Sequence, residues 1–420
     1  MDQFELRTAL WQYETKTQQT DEEKKLRELA NFLEVEEAMP SLPNRLRGFS
    51  LFDRFTSWMG ASNPFAKPVD GDQHAVWLQD NIAGRPEGAD NTVWEAEFVA
   101  AYFIRNTGKD SSKIVANIAG KLGLGEVDES RATIAKRLEP WVEAILPAHT
   151  VKIRIGDKHD EVLGPSDRSG VSTNVVQTRG THEDGSFITS KGVDIKTHPM
   201  TTTFAEPTGW AVISDIDDTI KVTMTSSPLG ILKSTFVDTP TPVKGMPEFY
   251  AHLRKVLKNP PFWYLSASPY NLYPFLRDFR TEHYPTGPLL LREASWMNLA
   301  GFLTSLTAGT QAYKVRRMKV IHKLFPRRMF MCIGDSTQSD PEAYGEMARK
   351  HPGWIGGIFI RKVTGVAEID EAKKNVPERF EKAFKDVPKE IWYVFEDPAE
   401  LYGKVSALMN QHPGGKSAGN

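Results

Sequence analysis

The spacing of apolar and polar residues changes twice along the 420-residue chain. Leu26, Leu29, Ala30 and Leu33 recur at helical spacing in a charged segment, and Thr20 with Glu23 has the form of a capping box; together they predict an amphipathic helix. A second box, Thr92 with Glu95, predicts a helix running to Ile104, and further helical patterns cover 111–122 and 129–146, the last interrupted at Pro140. Residues 40–90 are rich in turn formers, apart from an apolar-aromatic stretch at 49–59 that could dock on a core or lie on a membrane. Residues 1–148 thus read as a helical N-terminal region. From 150 the period becomes two: Val151, Ile153 and Ile155 alternate with polar residues and turn clusters follow, so 149–206 read as a small β-sandwich-like module. After Pro207, apolar runs at 210–214, 261–266, 329–333, 354–360 and 391–395 are separated by helical patterns at 245–257, 271–282, 311–325 and 370–385. That alternation predicts an α/β domain over 207–408 with a parallel sheet covered on both faces. The Gly-rich residues 409–420 read as a disordered tail.

Hydrophobic residues make up 40% and charged residues 25%, ordinary for a folded globular chain. With 52 basic and 54 acidic residues the net charge is −2, so nothing draws the chain as a whole to nucleic acid, and no nucleic-acid partner is expected. A local patch stands out. Residues 313–328 hold seven lysines and arginines and no acid, and Arg316, Lys319 and Lys323 share a helical stripe, which makes them membrane-binding candidates. The single cysteine, Cys332, lies in an apolar run and reads as a buried, inert thiol in a reducing compartment. The first residues lack a basic region followed by an apolar one, and about 18 consecutive apolar residues occur nowhere. The expectation is a cytoplasmic protein, at most peripheral to a membrane.

The chemistry is concentrated where apolar runs stop. Trp210-Ala211-Val212-Ile213-Ser214 ends in Asp215-Ile216-Asp217-Asp218-Thr219, and in an open α/β sheet the carboxyl ends of strands are where ligands bind. Phe330-Met331-Cys332-Ile333 ends in Gly334-Asp335, with Asp340 five residues on. Carboxylates delivered by two such strands repel unless a cation joins them, and an all-oxygen donor set without Cys or His suits Mg²⁺. Phe262-Trp263-Tyr264-Leu265 ends in Ser266, a hydroxyl able to hold a phosphate oxygen, and Lys314 opens the helix before the second acidic strand.

The order Asp-x-Asp-x-Thr, Ser, Lys, Gly-Asp-x-x-x-x-Asp resembles the haloacid-dehalogenase-like phosphatase superfamily over about residues 208–341. More narrowly, Ser214-Asp215-Ile216-Asp217-Asp218-Thr219-Ile220-Lys221, the run from Ser266 to Pro274 and Ile333-Gly334-Asp335-Ser336-Thr337-Gln338-Ser339-Asp340 look like the fungal actin-patch phosphatidate phosphatase family. The run Trp94-Glu95-Ala96-Glu97-Phe98-Val99-Ala100-Ala101-Tyr102-Phe103 resembles that family's N-terminal region, while a long proline-rich tail of the sort some members carry is not seen. The resemblance implies a haloacid-dehalogenase-like, Rossmann-like parallel-sheet domain. It implies Asp215 as nucleophile, Asp217 as acid and base, Thr219, Ser266 and Lys314 as the phosphate cradle, and Mg²⁺ on Asp215, the Asp217 carbonyl, Asp335 and Asp340. It also implies phosphatidate in anionic membranes as substrate, and cortical actin patches as a location.

The gaps between motifs are too short for a large cap, which leaves a site open to a phosphate presented on a surface. A flap at 228–236 carries Leu229, Ile231, Leu232 and Phe236, readable as a core hairpin or, for Ile231 and Leu232, as membrane-binding candidates. A protein phosphatase of the same superfamily and a catalytically silent membrane scaffold are the alternatives; a pure binder has no use for the Asp217 carboxylate. Pro40-Ser41-Leu42-Pro43-Asn44-Arg45 fits the P-x-x-P-x-R form of an SH3-domain ligand.

Overall fold

The computed structural model describes residues 20–37, 39, 66–86, 88–105, 112–124, 128–157, 159–167, 169–292, 300–366 and 372–415. The stretches at 40–45 and 49–59 lie outside the described residues.

The domain that carries the motifs is built on six parallel strands, numbered here from the first of this sheet: β1 (Trp210–Asp215), β2 (Phe262–Pro269), β3 (Leu289–Arg292), β4 (Met329–Asp335), β5 (Ile355–Arg361) and β6 (Trp392–Phe395). Their order across the sheet is β3-β2-β1-β4-β5-β6. Every residue of β1, β2 and β4 is buried, as a strand covered on both faces requires. The α/β expectation therefore holds. The chain runs outward from β1 to β3 and then returns to lay β4 on the other side of β1, so the order reverses between β1 and β4 and opens a crevice at their carboxyl ends. Register sets Ser214 opposite Ile333, so Asp215 and, one residue farther along its strand, Asp335 both emerge at that point.

Helices α1 (Pro228–Phe236) and α2 (Met246–Val256) connect β1 to β2, and α3 (Tyr273–His283), β3 and α4 (Ala300–Thr307) fill the stretch before α5 (Thr310–Leu324). Helix α6 (Asp340–Lys350) follows β4, α7 (Pro377–Ala383) precedes β6, and α8 (Tyr402–Gln411) closes the domain. The proposed flap is thus a helix, not a hairpin. Ser227 caps it by accepting from the Gly230 N–H, and Pro228 suits its first turn. Its apolar side faces inward: Ile231, Leu232 and Phe236 are fully buried in the main core and only Leu229 is exposed, which removes Ile231 and Leu232 as membrane-binding candidates. Ile231→Asp with Leu232→Asp is accordingly expected to cost well over 4 kcal/mol and to lower the melting temperature steeply, read by thermal denaturation.

The N-terminal part differs most from its sequence reading. Residues 93–104 form a strand, Val93–Ile104, not a helix. Trp94, Ala96, Phe98, Ala100 and Tyr102 enter one core, while Val99, Ala101 and Phe103 enter another. Apolar on both sides, the segment shows no clean period of two, and pairing with His74–Leu78 and Val171–Arg179 overrides its capping box. Together with Asn81–Ala83 and the short Lys67–Pro68 and Ala144–Ile145, strands from before residue 149 enter both sheets of the β-layer. The 149 boundary therefore cuts through one two-sheet unit. Helices Ser112–Lys121 and Asp128–Val142 are present; the second packs on α1 through Arg137, which donates to the Thr235 carbonyl at 2.9 Å, and on α4 through Trp141, edge-on to Phe302. At the C-terminus residues 409–415 are ordered. Helix α8 runs to Gln411, and the Gly415 carbonyl accepts from the N–H groups of Gly209 and Met329, tying the tail to the starts of β1 and β4. No described helix is long and apolar enough to cross a membrane.

Candidate active site

Strands β1 and β4 end in carboxylates, and the loop after each folds back on its own acids. Asp218 adopts a left-handed backbone (φ 60°) and accepts from the N–H groups of Thr223, Met224 and Thr225 at 2.7–2.9 Å, which fixes the turn beyond β1. Thr337 likewise donates its N–H and hydroxyl to Asp335, and the Thr225 and Thr337 hydroxyls meet at 2.8 Å, joining the two loops. Asp340, the first residue of α6, accepts from the Asp335 N–H at 3.2 Å.

Asp215, Asp335 and Asp340 are fully buried, and each offers a carboxylate oxygen within 4.8 Å of the others. Lys314, also fully buried, ion-pairs with Asp215 at 2.7 Å and with Asp340. Thr219 donates toward Asp215 and Asp335 at 3.1 and 3.2 Å. Five residues expected at the site from sequence therefore converge on one point. Asp217 stands slightly apart: its carboxylate accepts from Ser266 at 2.5 Å, Ser268 at 3.0 Å and Thr223 at 2.8 Å. Ser266 thus reaches the site as a partner of Asp217. Ser268 and Thr223 were not anticipated, although Ser-x-Ser on one strand puts both hydroxyls on the same face and the spacing was there to be read.

Charge is unbalanced at this point. Three buried carboxylates face one ammonium, and burial, reinforced by the neighbouring acids against the pull of Lys314, raises the Asp215 carboxyl well above its ordinary range. Burial and Asp340 push Asp335 up to about 7. Burial alone would lower Lys314, but Asp215, Asp340 and Asp335 raise it above the usual lysine range. Three clustered carboxylate oxygens are a donor set that suits a hard divalent cation, and Asp215, Asp335 and Asp340 are the residues that could hold it. The sign of the pH dependence follows. A carboxyl raised on folding binds its proton in the folded state first, so without metal the Asp335 site contributes less stability as pH rises from about 4 to 7. Measured against Asp335→Asn, the metal-free wild type is expected to lose melting temperature between pH 5.5 and 7.5, and added Mg²⁺ to raise it more at 7.5, because binding requires the ionised groups. Scanning fluorimetry at the two pH values reads both.

Of the basic stripe on α5, Lys319 and Lys323 are exposed and Arg316 is half-buried. Arg328, from the same run, is fully buried and ion-paired to Asp184 at 2.8 Å. Cys332 is buried at the centre of β4, and burial pushes its thiol up, as expected of an inert group.

Residues 210–362 match the family model for the catalytic domain of phosphatidate phosphatase APP1. The chain is similar to the phosphatidate phosphatase APP1 of Saccharomyces cerevisiae, 31% identical over 161 residues, which cover 38% of this chain and 27% of that protein. It is also 29% identical over 197 residues to an uncharacterized protein of Schizosaccharomyces pombe, covering 44% of this chain and 31% of that one. It thus spans less than a third of the length of either relative. Over this catalytic segment the resemblance to actin-patch phosphatidate phosphatases read from the motifs is borne out.

Proposed function

We propose that the chain is a Mg²⁺-dependent phosphatidate phosphatase of haloacid-dehalogenase-like type, releasing diacylglycerol and phosphate through an aspartyl-phosphate. One observation carries the phosphatase chemistry: Asp215 sits among two further buried carboxylates and a buried ammonium, with Asp217 two residues on in a separate nest of hydroxyls. The lipid substrate is supported by the similarity to the Saccharomyces cerevisiae enzyme.

Bound Mg²⁺, held by Asp215, Asp335, Asp340 and the Asp217 carbonyl, would supply positive charge to the phosphate oxygens. Asp215 forms a bond to phosphorus as the bond to the leaving oxygen breaks, and Lys314 and Thr219 keep its carboxylate in place. Asp217 delivers a proton to the departing alkoxide, which leaves as the diacylglycerol hydroxyl. Ionised, it then takes a proton from the water that splits the acyl-phosphate, so one carboxylate serves both halves. The exposed Lys319 and Lys323, with Arg316, would draw the site toward an anionic bilayer and make the protein a peripheral one. Recruitment through an SH3 domain at 40–45, and a place in cortical actin patches, belong to the same proposal.

The test is phosphate release from phosphatidate-containing vesicles, beside phosphopeptides, with and without EDTA. EDTA-sensitive release from the vesicles alone supports the reading. Release from the peptides alone would favour the protein-phosphatase alternative, and release from neither the scaffold.

A further inference from the structure

Lys221 is only 1% exposed, and its ammonium lies one hydroxyl away from Asp217. The Nζ donates to Thr223 Oγ1 at 2.9 Å and reaches the Val222 carbonyl at 3.4 Å, under the Phe275 ring at 5.6 Å from its centroid. An ammonium donates and never accepts, so at this junction Thr223 is the acceptor. The hydroxyl has one proton of its own. It goes to the nearer acceptor, Asp217 Oδ1 at 2.8 Å, in preference to the Lys221 carbonyl at 3.4 Å.

The other oxygen of Asp217 has a different environment. Ser266 and Ser268 face Oδ2, and Ser266 already receives the Ser268 N–H at 2.9 Å. Among the described residues neither serine hydroxyl is given an ammonium donor, so each can turn to accept when Oδ2 is protonated. Lys314, by contrast, touches Asp215 directly, which suits a carboxylate that attacks in its charged form.

We infer that Lys221 and Thr223 are positioning residues for the acid/base carboxylate: the relay from Lys221 through Thr223 holds Asp217 Oδ1 as an acceptor and leaves Oδ2 as the oxygen that carries the proton to the leaving group. The inference rests on the phosphomonoesterase reading above. It predicts damage that depends on the leaving group. An alkoxide cannot depart without the proton, whereas p-nitrophenolate needs little help, and kcat/KM reports only the steps up to the departure of that group.

The experiment compares kcat/KM for dioctanoyl phosphatidate and for p-nitrophenyl phosphate, with Mg²⁺, in wild type, Lys221→Met, Thr223→Val and Thr223→Ser. Part of a general acid's contribution of about 10²–10⁴ is at stake, so Lys221→Met and Thr223→Val should each raise the aryl-to-alkyl ratio of kcat/KM by about tenfold or more. Thr223→Ser, which keeps the hydroxyl, should restore the wild-type ratio. Equal losses on both substrates, or an unchanged ratio, would overturn the relay. Should Lys221→Met not fold, the near-isosteric Thr223→Val with its serine rescue decides alone. Wild-type protein that cleaves neither ester would instead overturn the phosphomonoesterase reading, and the relay with it.

Discussion

Asp215→Asn is expected to lower kcat on any phosphate monoester by about 10⁴-fold or more while leaving the fold intact. The loss is large because the amide cannot form the covalent intermediate, and removing one member of a unit that acts together costs nearly as much as removing all of it. The fold should survive because Asp215 is one of three crowded buried acids whose carboxyl is already raised by burial and by its neighbours. A neutral amide of the same shape relieves that repulsion, and Lys314 keeps Asp340 as a partner. The metal-free melting temperature should therefore hold or rise, and Mg²⁺ should stabilise the variant less than wild type. Steady-state kinetics with thermal denaturation in both metal states reads the pair of effects.

Among single substitutions at the site, Lys314→Met is expected to have the largest effect on stability. Its ammonium is fully buried between Asp215 and Asp340, and its removal leaves three carboxylates in the interior with no cation in ion-pair contact among the described residues. Breaking a buried pair by deleting one partner typically costs about 3–5 kcal/mol. Urea unfolding without divalent cation should show a loss of that size. Mg²⁺ should return part of it, because the same carboxylates are the proposed metal ligands. A loss below about 1 kcal/mol would mean that the acids do not depend on this lysine. Lys314→Arg is not a gentle replacement, since a planar fork does not fit where a compact ammonium meets two carboxylates.

The catalytic sheet was legible because its strands are short apolar runs that end abruptly in acids; buried on both faces, β1, β2 and β4 carry no alternation to misread. β3 escaped notice, since four residues at the sheet edge give little signal. The strand at Val93–Ile104 was misread for the opposite reason: apolar residues on both of its sides serve two cores, and a local capping box mimicked a helix start. Leu229 and Ile231 show the same limit at smaller scale. Sequence marked both as large and apolar, but only packing decides that one is exposed and the other fully buried. At the site, the residue types and their order located Asp215, Asp335, Asp340, Lys314 and Thr219. The Thr223 hydroxyl beside Asp217 depends on how the turn beyond β1 folds under Asp218, which no spacing rule supplies.

The central claim is that Asp215 takes the phosphoryl group. Asp217→Asn keeps that nucleophile and impairs both the proton delivery and the water attack, so with p-nitrophenyl phosphate and Mg²⁺ it should accumulate a covalent intermediate. Acid-quenched protein, digested and mapped by mass spectrometry, should carry a phosphoryl adduct on the Asp215 peptide that disappears with hydroxylamine and is absent from Asp215→Asn. A burst of p-nitrophenol without an adduct on Asp215, or an adduct on another residue, would contradict the account.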